Sequence, residues 1–324
     1  MPAHPPPAPP APAIEKIVVV TRKTPLEDLV ARLNTRAQAR FYLEQNGVPF
    51  ADYEQADATY HHALDSIRAA LPRRVPHQVI DRDLLSTYSF GEHDLVLTVG
   101  PDGLVVNTAK YCPTQPILAV NPDPARVDGV LLPFAVAGVE GAVERALRGT
   151  LPITPVSMAQ VTLNDGQMLL AFNDLFIGPR SHGSARYTIE IAGRSEQQSS
   201  SGIIISTGAG CTGWLRSLVT GAWGIAQHFN ADLALPAAGD LALGWDSKRL
   251  WYTVREPFTS RTSQASIIFG QLAAGAEMRI TSHMPDYGVI FSDGIEADYL
   301  AFNSGAIARI ALSSRQAHLL APAG

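Results

Sequence analysis

The sequence predicts an α/β domain with an open, mostly parallel sheet, followed by a mostly antiparallel β domain. Three observations carry that expectation. Short apolar, β-branched runs alternate with helical patterns as far as about residue 150. Beyond Pro152 the texture becomes period-two alternation, as in RYTIEIA at 186–192. A single helical pattern, at 213–229, interrupts that second part.

The elements follow in order. Residues 17–21 (IVVVT) read as a buried parallel strand. Residues 26–46 have helical spacing, with apolar Leu26, Val30, Leu33, Ala37 and Phe41. Residues 60–71 repeat that pattern with Ala63, Ile67 and Ala70 on one face, and Pro72 ends it. Val79 and Ile80 mark a short strand, 94–99 (DLVLTV) a longer one, and 117–120 another. In the second part, strands are expected within 161–177, 185–192, 201–206, 250–254, 277–281 and 289–295. The intervening helix carries Leu215, Leu218, Val219, Ala222, Trp223, Ala226 and Phe229. The expected domains are 14–150 and 151–304, with 305–324 packing back on the first. Residues 1–13 (MPAHPPPAPPAPA) read as an extended, proline-rich tail.

Composition excludes several classes. Hydrophobic residues form 46% and charged residues 17% of 324, so a sizeable core can be buried. No apolar run reaches the roughly 20 residues that span a bilayer, and no membrane partner is expected. A net charge of −5 argues against a generic nucleic-acid surface. Cys112 and Cys211 form no CxxC pair, so no zinc site is suggested, and two thiols fit a reducing compartment. The N-terminus has neither an apolar signal core nor arginine, which makes a cytoplasmic location the expectation. His61-His62 reads as a solvated helix face. HExxH, GxSxG and GxxxxGK[ST] are all missing from the sequence.

Three stretches carry chemistry. In LVLTVGPDGLVVN (95–107) a strand runs into Gly100-Pro101-Asp102-Gly103, where open α/β sheets bind ligands, and Asp102 faces that position. A plain surface turn is the alternative. In AFNDLFIG (171–178) the pair Asn173-Asp174 interrupts an apolar run, and such a pair needs partners if buried. A ligand supplies them in one reading, an Asx turn or bulge in the other. In SSGIIISTGAGCTGWLRS (200–217) a strand enters a glycine loop and leaves as a helix, an arrangement suited to phosphate or ribose. Gly208, Gly210 and Gly213 also satisfy G-x-G-x-x-G, which leaves a dinucleotide fold or a purely structural loop open.

The three motifs, in this order, resemble the NAD kinase family. Its GGDG turn, Asn-Glu pair and TxTGSTAY loop are matched by residues 100–103, by Asn173-Asp174 and by residues 207–214. The mitochondrial branch is the more similar. Its VNxDPxRxxG pattern is matched from Val120 to Gly129, NEVFIG from Asn173 to Gly178, SSG at Ser200 to Gly202, REP at Arg255 to Pro257 and FNxGAIA at Phe302 to Ala308.

The resemblance implies an active site between an α/β and a β domain, in a homodimer or homotetramer. It implies phosphoryl transfer from ATP, with a divalent metal (Mg or Mn), or from polyphosphate, to the adenosine 2′-hydroxyl of NAD. Asp102 then matches the aspartate that orients and deprotonates that hydroxyl. Asn173 and Asp174 match the pair that holds the adenosine. Gly100, Gly103, Thr207, Gly208, Gly210, Thr212, Gly213 and Ser217 match positions around the nucleotides.

The chain also departs from the pattern. Pro101 replaces a glycine and removes an N–H, Asp174 is a methylene shorter than Glu, and Cys211 and Trp214 stand for Ser and Tyr. A dinucleotide-binding protein without catalysis, and a kinase for another hydroxyl (lipid, sugar or nucleoside), are the alternatives.

Overall fold

The computed structural model describes residues 14–229, 234 and 238–322, so the tail expected at 1–13 lies outside the described residues. The chain forms two compact units. One runs to Thr154 and takes in the segment from His318, and the other is Pro155–Ala317.

In the first unit, β1 (Lys16–Thr21), β2 (His77–Asp81), β3 (Asp94–Val99), β4 (Pro116–Asn121) and the two-residue β5 (Phe134–Ala135) are all parallel, in the order β2-β1-β3-β4-β5. Five helices accompany them: α1 (Pro25–Leu33), α2 (Arg36–Gln45) and α3 (Phe50–Ala70) between β1 and β2, α4 (Asp102–Ala109) between β3 and β4, and α5 (Val139–Leu147) after β5. All six residues of β3 are buried, as the uninterrupted apolar run requires of a strand covered on both faces. Ile17, Val19, Leu95, Leu97 and Val99 form one core with Ile67 of α3 and Val143 of α5.

The helix expected at 26–46 is two helices. Asn34 adopts the left-handed conformation (φ 68°) that closes α1, and the Thr35 hydroxyl caps α2 by accepting the Gln38 N–H. The helix expected at 60–71 begins ten residues earlier, at Phe50 behind Pro49.

The second unit contains β6 (Ile153–Leu163), β7 (Met168–Ala171), β8 (Asp174–Pro179), β9 (Ala185–Ile191), β10 (Arg194–Ser200), β11 (Ile203–Ser206), α6 (Trp214–His228), α7 (Ala238–Leu241), β12 (Arg249–Val254), β13 (Phe269–Ala273), β14 (Met278–Ser282), β15 (Gly288–Ser292), β16 (Ile295–Ala301) and the start of β17 (Ile307–Leu320). One sheet has the order β13-β12-β11-β8-β15-β16, and the pairs from β12 through β15 to β16 are antiparallel. A second layer pairs β10, β9, β14 and the start of β17, again antiparallel.

Alternation decides which side chains enter the core. Leu175, Ile177, Ile203 and Ile205 pack there with Ile189, Ile280 and Ile310. Phe176 and Ile204, one residue out of phase, pack on the opposite face with Val289 and against Trp214 and Leu218 of α6.

The run at 161–177 is three strands, broken at Asn164–Gln167 and again at Phe172–Asn173. Strand β17 shows where the chain returns to the first unit. Its residues Ile307–Ile310 pair with β14, whereas His318 and Leu319 lie parallel to Pro116 and Ile117 of β4. The return therefore begins at His318 rather than near residue 305.

Candidate nucleotide site

In the first unit, Gly100-Pro101-Asp102-Gly103 is neither a tight hairpin nor a surface turn. Pro101 sits at the N-cap of α4 with φ −74° and ψ 170°, and Asp102 is the first helical residue. Neither Gly100 nor Gly103 has positive φ. The extended geometry at 101 is one that proline adopts without strain. A Cβ on Gly100 would come within 2.9 Å of Leu104 Cδ2, the end of a side chain that must turn aside, while one on Gly103 would meet open space.

The Asp102 side chain is half-buried at the positive end of α4, where a carboxylate is favoured. Its Oδ1 accepts the Leu131 backbone N–H at 2.8 Å. Beside the turn, the Arg22 side chain approaches Gly100, and its backbone N–H donates to the Tyr60 hydroxyl.

In the second unit, the structure brings Asn173, Asp174 and the 207–213 loop together. The Thr207 N–H donates to the Asn173 carbonyl at 2.9 Å, and its hydroxyl donates to the Phe172 carbonyl at 2.5 Å. The Gly210 N–H donates to the Thr207 hydroxyl at 3.2 Å. Two glycines are required by approach. A Cβ on Gly208 would lie 2.1 Å from the Gly244 carbonyl oxygen, and one on Gly210 would lie 2.3 Å from that of Asn173. Cys211, buried, donates its thiol to the Gly208 carbonyl at 3.0 Å. A short 3-10 turn, Gly210–Thr212, precedes α6, which starts at Trp214 behind Gly213.

Thr212, Gly213 and Ser217 are exposed at that helix start. Ser217 Oγ donates back to the Gly213 carbonyl at 3.3 Å. The G-x-G-x-x-G spacing does not open a βαβ unit, because β11 is antiparallel to both β8 and β12. That topology removes the dinucleotide-fold alternative.

Asn173-Asp174 lies at the junction of β7 and β8, and the polar residue that organises it was not among the sequence candidates. The Asp293 carboxylate accepts the backbone N–H groups of Phe172, Asn173 and Asp174 at 3.1, 2.6 and 3.2 Å. Asp293 belongs to Ser292-Asp293-Gly294, where φ of 56° and 70° form the turn before β16. The SDG tripeptide is the one signal that marks it.

The Asp174 residue is half-buried, but its carboxyl is enclosed. Oδ1 is buried with no hydrogen-bond partner. Burial pushes this acid up to about 7, with the Asp293 charge adding and the Ser206 hydroxyl opposing. A buried, unpaired acceptor packed against Gly210 calls for a hydrogen-bond donor.

Next to the loop, a hollow of about 240 Å³ is lined by Phe176, Trp214, Arg255, Phe291, Glu296 and Tyr299, among others. Trp214 stacks on Phe176 at 5.9 Å and 11°, and the Arg255 guanidinium lies 5.5 Å from the Trp214 ring and 5.9 Å from that of Phe176.

His61, expected on a solvated face, is exposed but paired. Its Nε2 is 3.2 Å from Glu27 and 3.6 Å from Asp57. Among the described residues no helix is long and apolar enough to cross a membrane.

The Gly210 contact yields a prediction. Gly210→Ala is expected to cost about 1–3 kcal/mol of stability, because a Cβ there meets backbone. Gly221→Ala in α6, with nothing within 4 Å, is the control. Denaturant titration of both variants checks it, and equal stabilities would mean that the loop yields without consequence.

With this geometry in hand, the class of fold is clear: it is that of the NAD kinases. The structure resembles yeast NADH kinase complexed with NADH, with a TM-score of 0.54 and 14% identity over 98% of this chain and 85% of that one. It also resembles the Archaeoglobus fulgidus NAD kinase in complex with ATP, with a TM-score of 0.53 and 14% identity over 94% and 93%.

Two curated relatives extend the likeness in sequence. A probable NADH kinase of rice (Oryza sativa subsp. japonica) is 24% identical over 225 residues, 62% of this chain and 63% of that protein. The NAD kinase of Prosthecochloris aestuarii is 32% identical over 150 residues, 44% of this chain and 50% of that protein. The matches thus span about half to three-fifths of these relatives' lengths. No protein-family model matches the chain.

Proposed function

We propose that this protein is a kinase that moves a phosphoryl group from ATP to the 2′-hydroxyl of NAD or NADH. The observation that carries the reading is one feature in each unit. In the first a carboxylate, Asp102, stands at a helix start after a parallel strand, and in the second the Asp174 carboxyl is buried against Gly210 of the glycine loop with Oδ1 unpaired. Kinship with rice and bacterial NAD(H) kinases supports it. The motifs at 120–129, 255–257 and 302–308 favour the mitochondrial branch.

Phosphoryl transfer asks little covalent work of a protein. It needs an in-line hydroxyl, a metal on the donor phosphates and an acceptor for a late proton. The divalent ion enters with ATP as part of the substrate. Asn173, Asp174, Thr207, Thr212, Gly213 and Ser217 bind the dinucleotide, and Gly100, Gly103 and the free N–H groups at the start of α4 face phosphate. Asp102 takes the proton through the oxygen that Leu131 leaves open. A cytoplasmic location and a homo-oligomeric state complete the proposal.

The deciding assay mixes purified protein, MgATP or MnATP, and NAD or NADH, and measures NADP(H) by enzyme coupling. Formation of the 2′-phosphorylated product is expected, and its absence with dinucleotide binding intact would leave a binding protein.

Pro101 favours a slow enzyme within this reading. Proline offers no N–H at the helix cap, so a donor phosphate bound there lacks the hydrogen bond that a glycine would offer. Pro101→Gly is therefore expected to raise turnover about tenfold, the worth of roughly one preorganised donor, without tightening dinucleotide binding. Unchanged turnover would assign the proline to stiffening the turn alone.

A further inference from the structure

The loop from β4 to β5 makes one contact with Asp102, through Leu131, and its other residues have no role in the reading above, on which this inference rests. We propose that Asn121 and Gly129 are positioning residues that hold the Leu131 N–H on Asp102 Oδ1 and so aim the other oxygen at the attacking hydroxyl.

The construction can be followed atom by atom. Asn121, the last residue of β4, is buried. Its Nδ2 donates to the Val127 carbonyl at 2.8 Å, and its Oδ1 accepts the Asp123 N–H at 3.0 Å. One side chain thus pins both the start and the middle of the loop. The Arg126 and Val127 N–H groups close a turn on the Asp123 carbonyl, and Arg126 pairs with the Asp123 carboxylate at 3.1 Å.

Gly129 then reverses the chain in the left-handed region, with φ 66°. A Cβ there would lie 2.7 Å from Asn121 Nδ2 and 3.0 Å from Leu132 Cβ. Both the conformation and the space demand glycine. The Gly129 carbonyl accepts the Leu132 N–H at 3.0 Å, and Leu131 and Leu132 are buried. The Leu131 N–H is consequently presented in a fixed direction and meets Asp102 at 2.8 Å.

An aspartate carboxylate turns about two torsions, the second of them broad, and a hydrogen bond to one oxygen restrains both. Reactions that depend on alignment lose rate when a base is mis-set by about 1 Å. The loop commits a buried asparagine and a left-handed glycine to that alignment.

Asn121→Ala and Gly129→Ala test the brace in the full chain. Each is expected to lower kcat about tenfold, the scale of one hydrogen bond to a charged group, with KM for NAD unchanged. In an Asp102→Asn background neither is expected to lower kcat further, because there is no base left to aim. A structural lesion would instead lower kcat by the same factor in both backgrounds, and that additivity overturns the proposal. If Asp102→Asn itself keeps full turnover, the kinase reading of Asp102 fails rather than the brace.

A readout independent of activity separates the two. With ¹⁵N-leucine labelling, the Leu131 amide resonance is expected to shift on Asp102→Asn, and its hydrogen exchange to quicken in Asn121→Ala and Gly129→Ala. A Leu131 amide indifferent to all three substitutions would end the proposal whatever the kinetics.

Discussion

Asp102→Asn is expected to lower NADP(H) formation by roughly 10²-fold or more, the usual loss when a positioned general base is removed, while dinucleotide affinity changes little. The substitution preserves shape. Asparagine Oδ1 still accepts the Leu131 N–H at the distance now held by the aspartate, so the β4–β5 loop keeps its anchor. What disappears is the proton-accepting oxygen and one negative charge at the first residue of α4. The charge contributes about 0.3–1 kcal/mol to the helix, too little to unfold a two-unit protein. Turnover and stability therefore separate. A coupled NADP(H) assay beside a thermal melt reads both, and near-normal turnover in a folded variant would remove Asp102 from the mechanism.

The strands that frame this residue were legible because burial on two faces leaves an unmistakable run. IVVVT and DLVLTV each became a strand within one residue of its expected bounds. What could not be read was local chain reversal carried by single side chains. The split of 26–46 into two helices rests on Asn34 adopting positive φ, and asparagine inside a helical period gives no warning of it. Strands β10 and β13 were missed because RSEQQSS and FGQLA lack a clean apolar face, and pairing to β9 and β12 makes them strands. The site divides the same way. Asn173, Asp174, Thr207 and Gly210 were recognisable as residue types out of keeping with their neighbours. Asp293, about 120 residues from the backbone it secures, shows only as an SDG turn, and Leu131, which acts through its amide alone, leaves no mark.

Asp174 gives the second large effect, one that a pH series makes visible. Its carboxyl is enclosed beside the Asp293 carboxylate, with Oδ1 unpaired. The folded chain therefore holds this proton up to about pH 7, whereas the unfolded chain releases it near the ordinary value of 3.8. Between those values the folded state binds the extra proton, so stability falls as pH rises and the loss levels off above about 7. The difference corresponds to something on the order of 4 kcal/mol. Other groups titrate across this window, so the informative quantity is the difference between the wild type and Asp174→Asn. The asparagine keeps a hydrogen-bonding partner for Ser206 and carries no charge to bury. The wild type is expected to lose stability from pH 4.5 to 8 relative to this variant, and the variant to be the more stable at pH 8. Denaturant titrations at several pH values measure both slopes, and parallel slopes would show that the Asp174 carboxyl is hydrated in the folded protein. Bound dinucleotide adds a further expectation. A ribose hydroxyl donating to Oδ1 supplies the missing partner of the ionised form, so the ligand should flatten the wild-type slope and leave that of Asp174→Asn unchanged.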